Sequence, residues 1–299
     1  MTHPAFLSFD TNGLWVGKFE TGYDGATTTT AAQVNSVDTS KIIIKPNVYS
    51  WRNINIGNAF KNSYDYQRDL DSHMMKNTEW GSVAYLQHSK YGSQASVRIN
   101  NNNAYITGYG ATVEPTLSYN GGVSIEGNRN ESTSLGKDGT YTINYINQKS
   151  VVASTTNNYS GIYDMSGGAW EYSIGYTIKA TSLSDLSSIT SLYSDFFSDS
   201  SYLKYWDRYT STVNTNYNNR ILGDATGEMG PFGSEKDPDK TERYKSSWYK
   251  DYARFIDSSN SWFARGGDWR HGNISGVIAF NNEIGGIRVD FSYRIVLAP

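Results

Sequence analysis

The 299-residue chain contains no cysteine. That single absence excludes disulfides, thiol nucleophiles and cysteine-ligated metals together. Charge is also scarce: Asp, Glu, Lys and Arg make up 18% of the residues, where about a quarter is usual, and the formal net charge is −3. Lys and Arg are nowhere clustered, which argues against nucleic acid and anionic membranes as partners. No apolar run approaches the ~18 residues that cross a bilayer. The start, Met1-Thr2-His3-Pro4-Ala5-Phe6, has no basic segment followed by an apolar one. The expectation is a chain with no membrane insertion and no secretion signal of its own.

What fills the gap is Tyr (24), Gly (28), Trp (8) and abundant Asn, Ser and Thr. Tyr and Trp give large contact area on few rotatable bonds, and Ser, Gly and Asn adapt their hydrogen bonds, so recognition surfaces use this mixture. Most of the aromatics are expected in the core. The length would hold one large domain or two ordinary ones. No internal repeat and no linker divides it, so a single domain over 1–299 is expected. Without disulfides or a signal, the chain fits a protein assembled in the cytoplasm and released by lysis, such as a virion part. It equally fits a cytosolic protein or the C-terminal part of a longer secreted chain.

Residues 13–20 alternate large apolar with small or polar side chains and predict an early strand. The Thr- and Ala-rich stretch 27–32 predicts a surface loop. Phe60 and Tyr64 lie four apart after Asn58, which predicts a short helix capped there. A second helix is predicted from Asn77 as cap, with Trp80, Val83 and Ala84 on one face and Gly92 just past its end. Residues 100–158 predict loops and short strands, among them 141–146, and 235–240 a charged, solvated turn. Val277-Ile278-Ala279-Phe280 is apolar on both faces, as in a central strand, and Phe291, Tyr293, Ile295 and Leu297 alternate toward one side.

Three segments carry more information. They are Trp15-Val16-Gly17-Lys18-Phe19-Glu20 followed by Lys76-Asn77-Thr78-Glu79-Trp80; Gly161-Ile162-Tyr163-Asp164-Met165-Ser166-Gly167-Gly168-Ala169-Trp170-Glu171-Tyr172; and Arg265-Gly266-Gly267-Asp268-Trp269 closed by Phe291-Ser292-Tyr293-Arg294-Ile295-Val296. In that order they resemble the formylglycine-generating-enzyme and sulfatase-modifying-factor family, and the resemblance runs over nearly the whole chain. It implies an α+β, C-type-lectin-like fold of the formylglycine-generating-enzyme type, with short strands, few helices and much irregular backbone. The paired glycines permit positive φ, and Trp170 and Trp269 offer large apolar bodies with one donor each, so both turns read as scaffold. Arg265 and Arg294, with five donors apiece, read as anchors that tie loops together.

The family's oxidase chemistry needs a cysteine pair, which this chain lacks, so no enzyme activity carries over. The four histidines, His3, His73, His88 and His271, lack the His-x3-His-x-Glu spacing of the related iron-dependent sulfoxide synthases and read as solvated or structural. The resemblance implies no cofactor. It leaves only a structural calcium beside Glu171, where Gly168 replaces the family's side-chain amide. The lectin signatures Glu-Pro-Asn and Trp-Asn-Asp are missing, with Glu114-Pro115-Thr116 the nearest approach.

Non-enzymatic proteins of this fold include receptor-binding tips of phage tail fibres and the variable proteins of diversity-generating retroelements, and both recognise ligands with the C-terminal segment. Here the recognition segment lies near 265–297. The matching stretch, 268–290, offers Asp268, Arg270, His271, Asn273, Asn281, Asn282, Glu283, Arg288 and Asp290 as ligand-binding residues. The implied function is host attachment by a viral receptor-binding module located in the virion tail. The implied partners are a host cell-surface protein or glycan, other copies of the chain, and fibre or tail proteins. Two alternatives stay open: a secreted bacterial pilus or cell-surface adhesin, and a cysteine-free enzyme of the same fold.

Overall fold

The computed structural model describes residues 4–7, 13–92, 97–110, 153–178, 189–210, 220–226 and 251–299. Within them the chain is a mixed α+β structure of short strands, two α-helices and several small sheets. In the first half of the chain come β1 (Trp15–Val16), β2 (Gly22–Tyr23), β3 (Ile42–Ile43), α1 (Ile56–Tyr66), β4 (His73–Met74) and α2 (Asn77–Gln87). The second half supplies β5 (Trp170–Thr177), β6 (Asp207–Tyr209), β7 (Trp262–Arg265), β8 (Phe280–Glu283), β9 (Phe291–Tyr293) and β10 (Ile295–Leu297).

Both helices start a little away from where the sequence predicts. The cap of α1 is Asn55, which has extended backbone and whose side-chain oxygen accepts the Asn58 N–H at 2.8 Å. Asn58 is therefore the donor in this cap rather than the cap itself. α2 is closed by Glu79, whose carboxylate accepts the Lys76 N–H at 2.8 Å. Asn77 is its first helical residue, buried, and donates to the Tyr209 hydroxyl at 2.7 Å. Trp80, Val83 and Ala84 pack with Met75, Val277 and Ile278 in one apolar cluster.

β5 is the hub. All eight of its residues are buried, as expected of a strand covered on both faces. β7 pairs antiparallel with one edge of it, and β8 pairs antiparallel with β7. On the other edge β9 runs parallel to Trp170–Tyr172 and β6 runs parallel to Gly175–Thr177. Aromatic rings from β5, β7 and β9 join Trp51, Ile56 and Phe60 in the largest core cluster. β1 and β4 flank β10 in a second, antiparallel sheet, and β2 and β3 form a third ladder.

Three strand expectations are corrected. Of 13–20, only Trp15–Val16 pairs as a strand. Of 277–280, only Phe280 is in a strand; residues 277–279 turn, closed by an Ala279 N–H to Gly276 carbonyl bond of 2.9 Å. Those residues are buried because α2 covers them, with Trp80 Nε1 donating to the Val277 carbonyl at 2.7 Å, so core packing rather than sheet pairing makes the run apolar. The final stretch does not alternate toward one side: residues 291–296 are all buried, because β9 joins one sheet and β10 another. Residues 27–32 form the expected turns, exposed except for Thr29, half-buried, and Ala32, buried. The readings of 141–146, 235–240, 114–116 and His3 lie outside the described residues.

Candidate functional site

The stretch from which ligand-binding residues are expected begins just beyond the end of β7 at Arg265. Gly266 and Gly267 have φ of +83° and +71°, and a Cβ on Gly267 would sit 2.4 Å from the Ser275 hydroxyl, so only glycine lets the chain turn here. The turn sends Asp268 inward. Its side chain is wholly buried and accepts the Arg270 N–H and Nε at 2.9 Å and His271 Nδ1 at 2.6 Å. Burial opposes its charge, but His271 and Arg270 outweigh that and hold the Asp268 carboxyl below the usual range. Arg270 also pairs with Asp290, so its guanidinium spans two carboxylates while 41% of its side chain stays exposed. His271 lies edge-on to Trp170 and Tyr252, with centroids 5.5 and 5.9 Å away.

Beside this turn, residues 284–290 form a loop clamped by its own carbonyls. Gly285 O accepts the Ile56 N–H at 3.0 Å, Gly286 O the Tyr172 hydroxyl at 2.7 Å, Arg288 O the Asn53 N–H at 2.9 Å, and Asp290 O the Trp170 N–H at 2.9 Å. Val289 O accepts from Arg52, whose guanidinium also lies 3.8 Å from the Tyr105 ring centroid and donates to Thr29. Tyr105 in turn meets Trp269 edge-on at 6.4 Å. Burial first, and then Asp268, push the Tyr105 hydroxyl up to about 12.

The structure brings most of the nine named residues together at this face, in different roles. Arg270, His271, Asn281, Glu283 and Asp290 are part-exposed and Arg288 is exposed, paired to Glu283 at 3.1 Å. Asp268 and Asn282 lie underneath: Asp268 orients Arg270 and His271, and Asn282 donates to Asp257 at 3.0 Å. Asn273 is in a short 3-10 turn, Gly272–Ile274. Sequence reasoning passed over Ile284, Ile287 and Val289, which are exposed. The signal was available as β-branched residues alternating with charged ones beside the Gly285-Gly286 pair.

Behind the face lies a buried carboxylate group. Glu171 gives both oxygens to Arg294, one of them to Nε at 2.9 Å, and Arg294 also donates to the Gly17 and Tyr163 carbonyls. Arg265 similarly donates to Asn77 Oδ1 and the Ala225 carbonyl, so both arginines are the internal anchors expected of them. Asp164 accepts from Asn100 Nδ2 and the Gly108 N–H, each at 2.9 Å, and Glu20 accepts from the Ser50 hydroxyl at 2.5 Å. Burial pushes all three carboxyls up, Glu171 to about 7. Both oxygens of Glu171, the carboxylate beside which a calcium was expected, accept from Arg294. Among the described residues no group of three or more His, Asp or Glu is arranged to hold a metal.

No known family pattern matches the chain, and no curated protein matches it either.

Proposed function

We propose that the chain is a ligand-binding module, the host-attachment tip of a phage tail fibre, built on a C-type-lectin-like fold of the formylglycine-generating-enzyme type without that family's chemistry. The observation that carries the reading is the Arg270 bridge. One guanidinium ties the Arg-Gly-Gly-Asp turn to the 284–290 loop, so two segments distant in sequence make a single outward face. Adaptable polar groups on a rigid scaffold are the usual layout of a binding surface. The same geometry favours binding over catalysis. His271 and Asp268 form a pair, but the hydroxyl beside them, that of Ser275, donates to the Asp268 carbonyl at 2.7 Å and is not aimed at the imidazole as a nucleophile. A surface protein or glycan of a bacterial host is the proposed ligand, with fibre proteins as structural partners.

The test is adsorption of the fluorescently labelled chain to a panel of bacterial strains. Attachment to some strains and not others, saturable by unlabelled chain, is the expected result. Failure to attach to any strain, together with turnover of a small substrate lost in His271→Ala, would replace this reading with an enzymatic one.

A further inference from the structure

The buried carboxylate of Asp268 has its acceptor capacity filled from within the chain. Oδ1 takes the Arg270 N–H at 2.9 Å and His271 Nδ1 at 2.6 Å, and Oδ2 takes Arg270 Nε, at 2.9 Å, and Nη2. An ionised carboxylate donates nothing, so the proton of the shared bond sits on Nδ1 of His271 and, in the neutral ring, the lone pair is on Nε2. Nε2 has no hydrogen-bond partner among the described residues, and it is not one of the polar atoms buried without one; 28% of the side chain is exposed. Nη1 of Arg270 is in the same position, making no hydrogen bond among the described residues on a side chain that is 41% exposed. The edges of Trp170 and Tyr252 pack around the imidazole and hold its plane. The turn therefore carries one open acceptor and one open donor, mounted on the two oxygens of a single buried carboxylate. Groups fixed in this way lose little freedom when a ligand arrives.

Resting on the reading of this face as the recognition surface, we propose that His271 Nε2 and Arg270 Nη1 bind neighbouring hydroxyls of an uncharged glycan, the imidazole accepting from one while the guanidinium donates to the other. The charges and the open groups decide between ligand classes. Asp268 and Asp290 stand against Arg270 and the buried Arg52, and Glu283 against Arg288, so the charges of the face cancel. An anionic ligand would meet no uncompensated cation, and its oxygens, which only accept, have nothing to offer the lone pair of Nε2. A hydroxyl both donates and accepts, so two on one sugar ring suit an open acceptor and an open donor held together. A protein ligand asks for an interface centre depleted of charge and rich in aromatic and apolar side chains, whereas the groups gathered on Asp268 are polar and charged. Trp269, just before Arg270 and part-exposed, sets an aromatic residue at the same turn. A site built to hydrogen-bond a hydroxyl also rejects an analogue that lacks it, because its own polar groups are then left unpaired. Asp268 is a positioning residue in this account: it fixes which nitrogen of His271 is open and touches no ligand itself.

The experiment presents the immobilised full chain with an array of uncharged bacterial oligosaccharides, an array of carboxylated and phosphorylated ones, and a display library of looped peptides. Each hit is measured on wild type, on H271N and on R270A/H271A, below the melting temperature of each. In H271N the side-chain amide keeps a donor for Asp268 and removes Nε2, so the turn is retained while the open acceptor is lost. Nitrogen-15 NMR of the His271 ring reads the tautomer directly. The expected result is uncharged oligosaccharides whose affinity falls about tenfold or more in H271N, with Nε2 unprotonated in wild type at about pH 8. Should H271N unfold, versions of each hit lacking one hydroxyl replace it, and removal of the right one should weaken wild-type binding as much. Four results would each overturn the glycan proposal: peptide or anionic hits in place of uncharged ones, oligosaccharide hits indifferent to both H271N and loss of any hydroxyl, a wild-type ring with Nδ1 bare and the proton on Nε2, or attachment to bacteria with no hit on any probe. If binding is nevertheless lost in R270A/H271A, the recognition face stands; binding unchanged in R270A/H271A would remove the face as well.

Discussion

Arg270 is paired with two aspartates at once, Asp268 beneath it and Asp290 across the face, and the two are not equivalent. Asp268 is wholly buried and also holds His271, whereas Asp290 keeps some exposure and has solvent to fall back on. Removing Asp268 takes a buried acceptor from several donors; removing Asp290 loosens one part-exposed pair. Asp268→Ala should cost about 3 kcal/mol of folding stability, and Asp290→Ala no more than about 1 kcal/mol. Urea denaturation of the two variants checks this, and equal costs would contradict the division of roles.

Gly285 is the second test of the face. Its positive φ and its contact with Ile56 and Trp262 leave a methyl group no room. Gly285→Ala should destabilise by about 2–4 kcal/mol through backbone strain and overpacking together. Hydrogen exchange should show faster exchange at the Ile56 amide, which donates to Gly285. A variant as stable as wild type would mean that the loop adjusts and is not preorganised.

How far these features were legible in the sequence depended on what kind of signal each left. The Arg-Gly-Gly-Asp turn and Arg294 were readable because paired glycines and an arginine amid apolar residues have few structural explanations, and the hydrogen bonds of Arg265 and Arg294 follow that reading. The mixed α+β class was expected from the resemblance carried by the three motif segments, not from any single β-prone stretch. Residues 277–279 misled because an apolar run records burial without recording whether a sheet or a helix does the burying; here it is α2, through Trp80. Asn58 misled because Asn55, three residues earlier, has the same capping chemistry, and only the extended backbone at Asn55 separates them. Polarity was a poor guide to exposure in 282–289, where the polar Asn282 is buried, like Asp268 before it, and the apolar Ile287 and Val289 are exposed.

His73 and Glu79 form a buried pair 3.0 Å apart, with Lys76 beside the carboxylate. Although burial opposes both charges, Glu79 holds His73 above its ordinary value of 6.5, and His73 holds Glu79 below 4.5. Stability from the raised histidine is complete below its unfolded pKa and is lost as pH rises through the folded one. Stability from the depressed glutamate is complete above its unfolded pKa and is lost as pH falls through the folded one. The pair therefore contributes most between these two ordinary values, 4.5 and 6.5. His73→Asn should cost about 3 kcal/mol in that window, with the difference from wild type shrinking on either side. Chemical denaturation across pH tests it, and a cost independent of pH would contradict it.

Glu20 behaves oppositely. Burial, then Asp164 and Glu171, raise its carboxyl well above 4.5, with the Ser50 hydrogen bond and Arg294 opposing. A raised carboxyl disfavours the folded state once the unfolded chain ionises, so wild-type stability should decline as pH rises past the ordinary glutamate value. Glu20→Gln should abolish its share of that decline, leaving stability near pH 4 little changed and raising it at pH 8. Melting curves at the two pH values decide the matter; a variant destabilised equally at both would show that Glu20 is held as a carboxylate.

The most direct test of the recognition face is one variant, R270A/H271A/R288A, measured for attachment to a strain that binds the wild-type chain, with its melting curve taken on the same preparation. Arg288 is exposed and its loss should cost little, whereas Arg270 and His271 are the side-chain partners of the buried Asp268 carboxylate, so losing both should cost about 3 kcal/mol, and attachment is read well below the lowered melting temperature. Attachment should weaken at least tenfold, since the three side chains carry much of the polar contact of the face and their joint loss costs about 1.4 kcal/mol or more. Attachment at wild-type strength by the folded variant would contradict the account and move the binding surface away from residues 268–290.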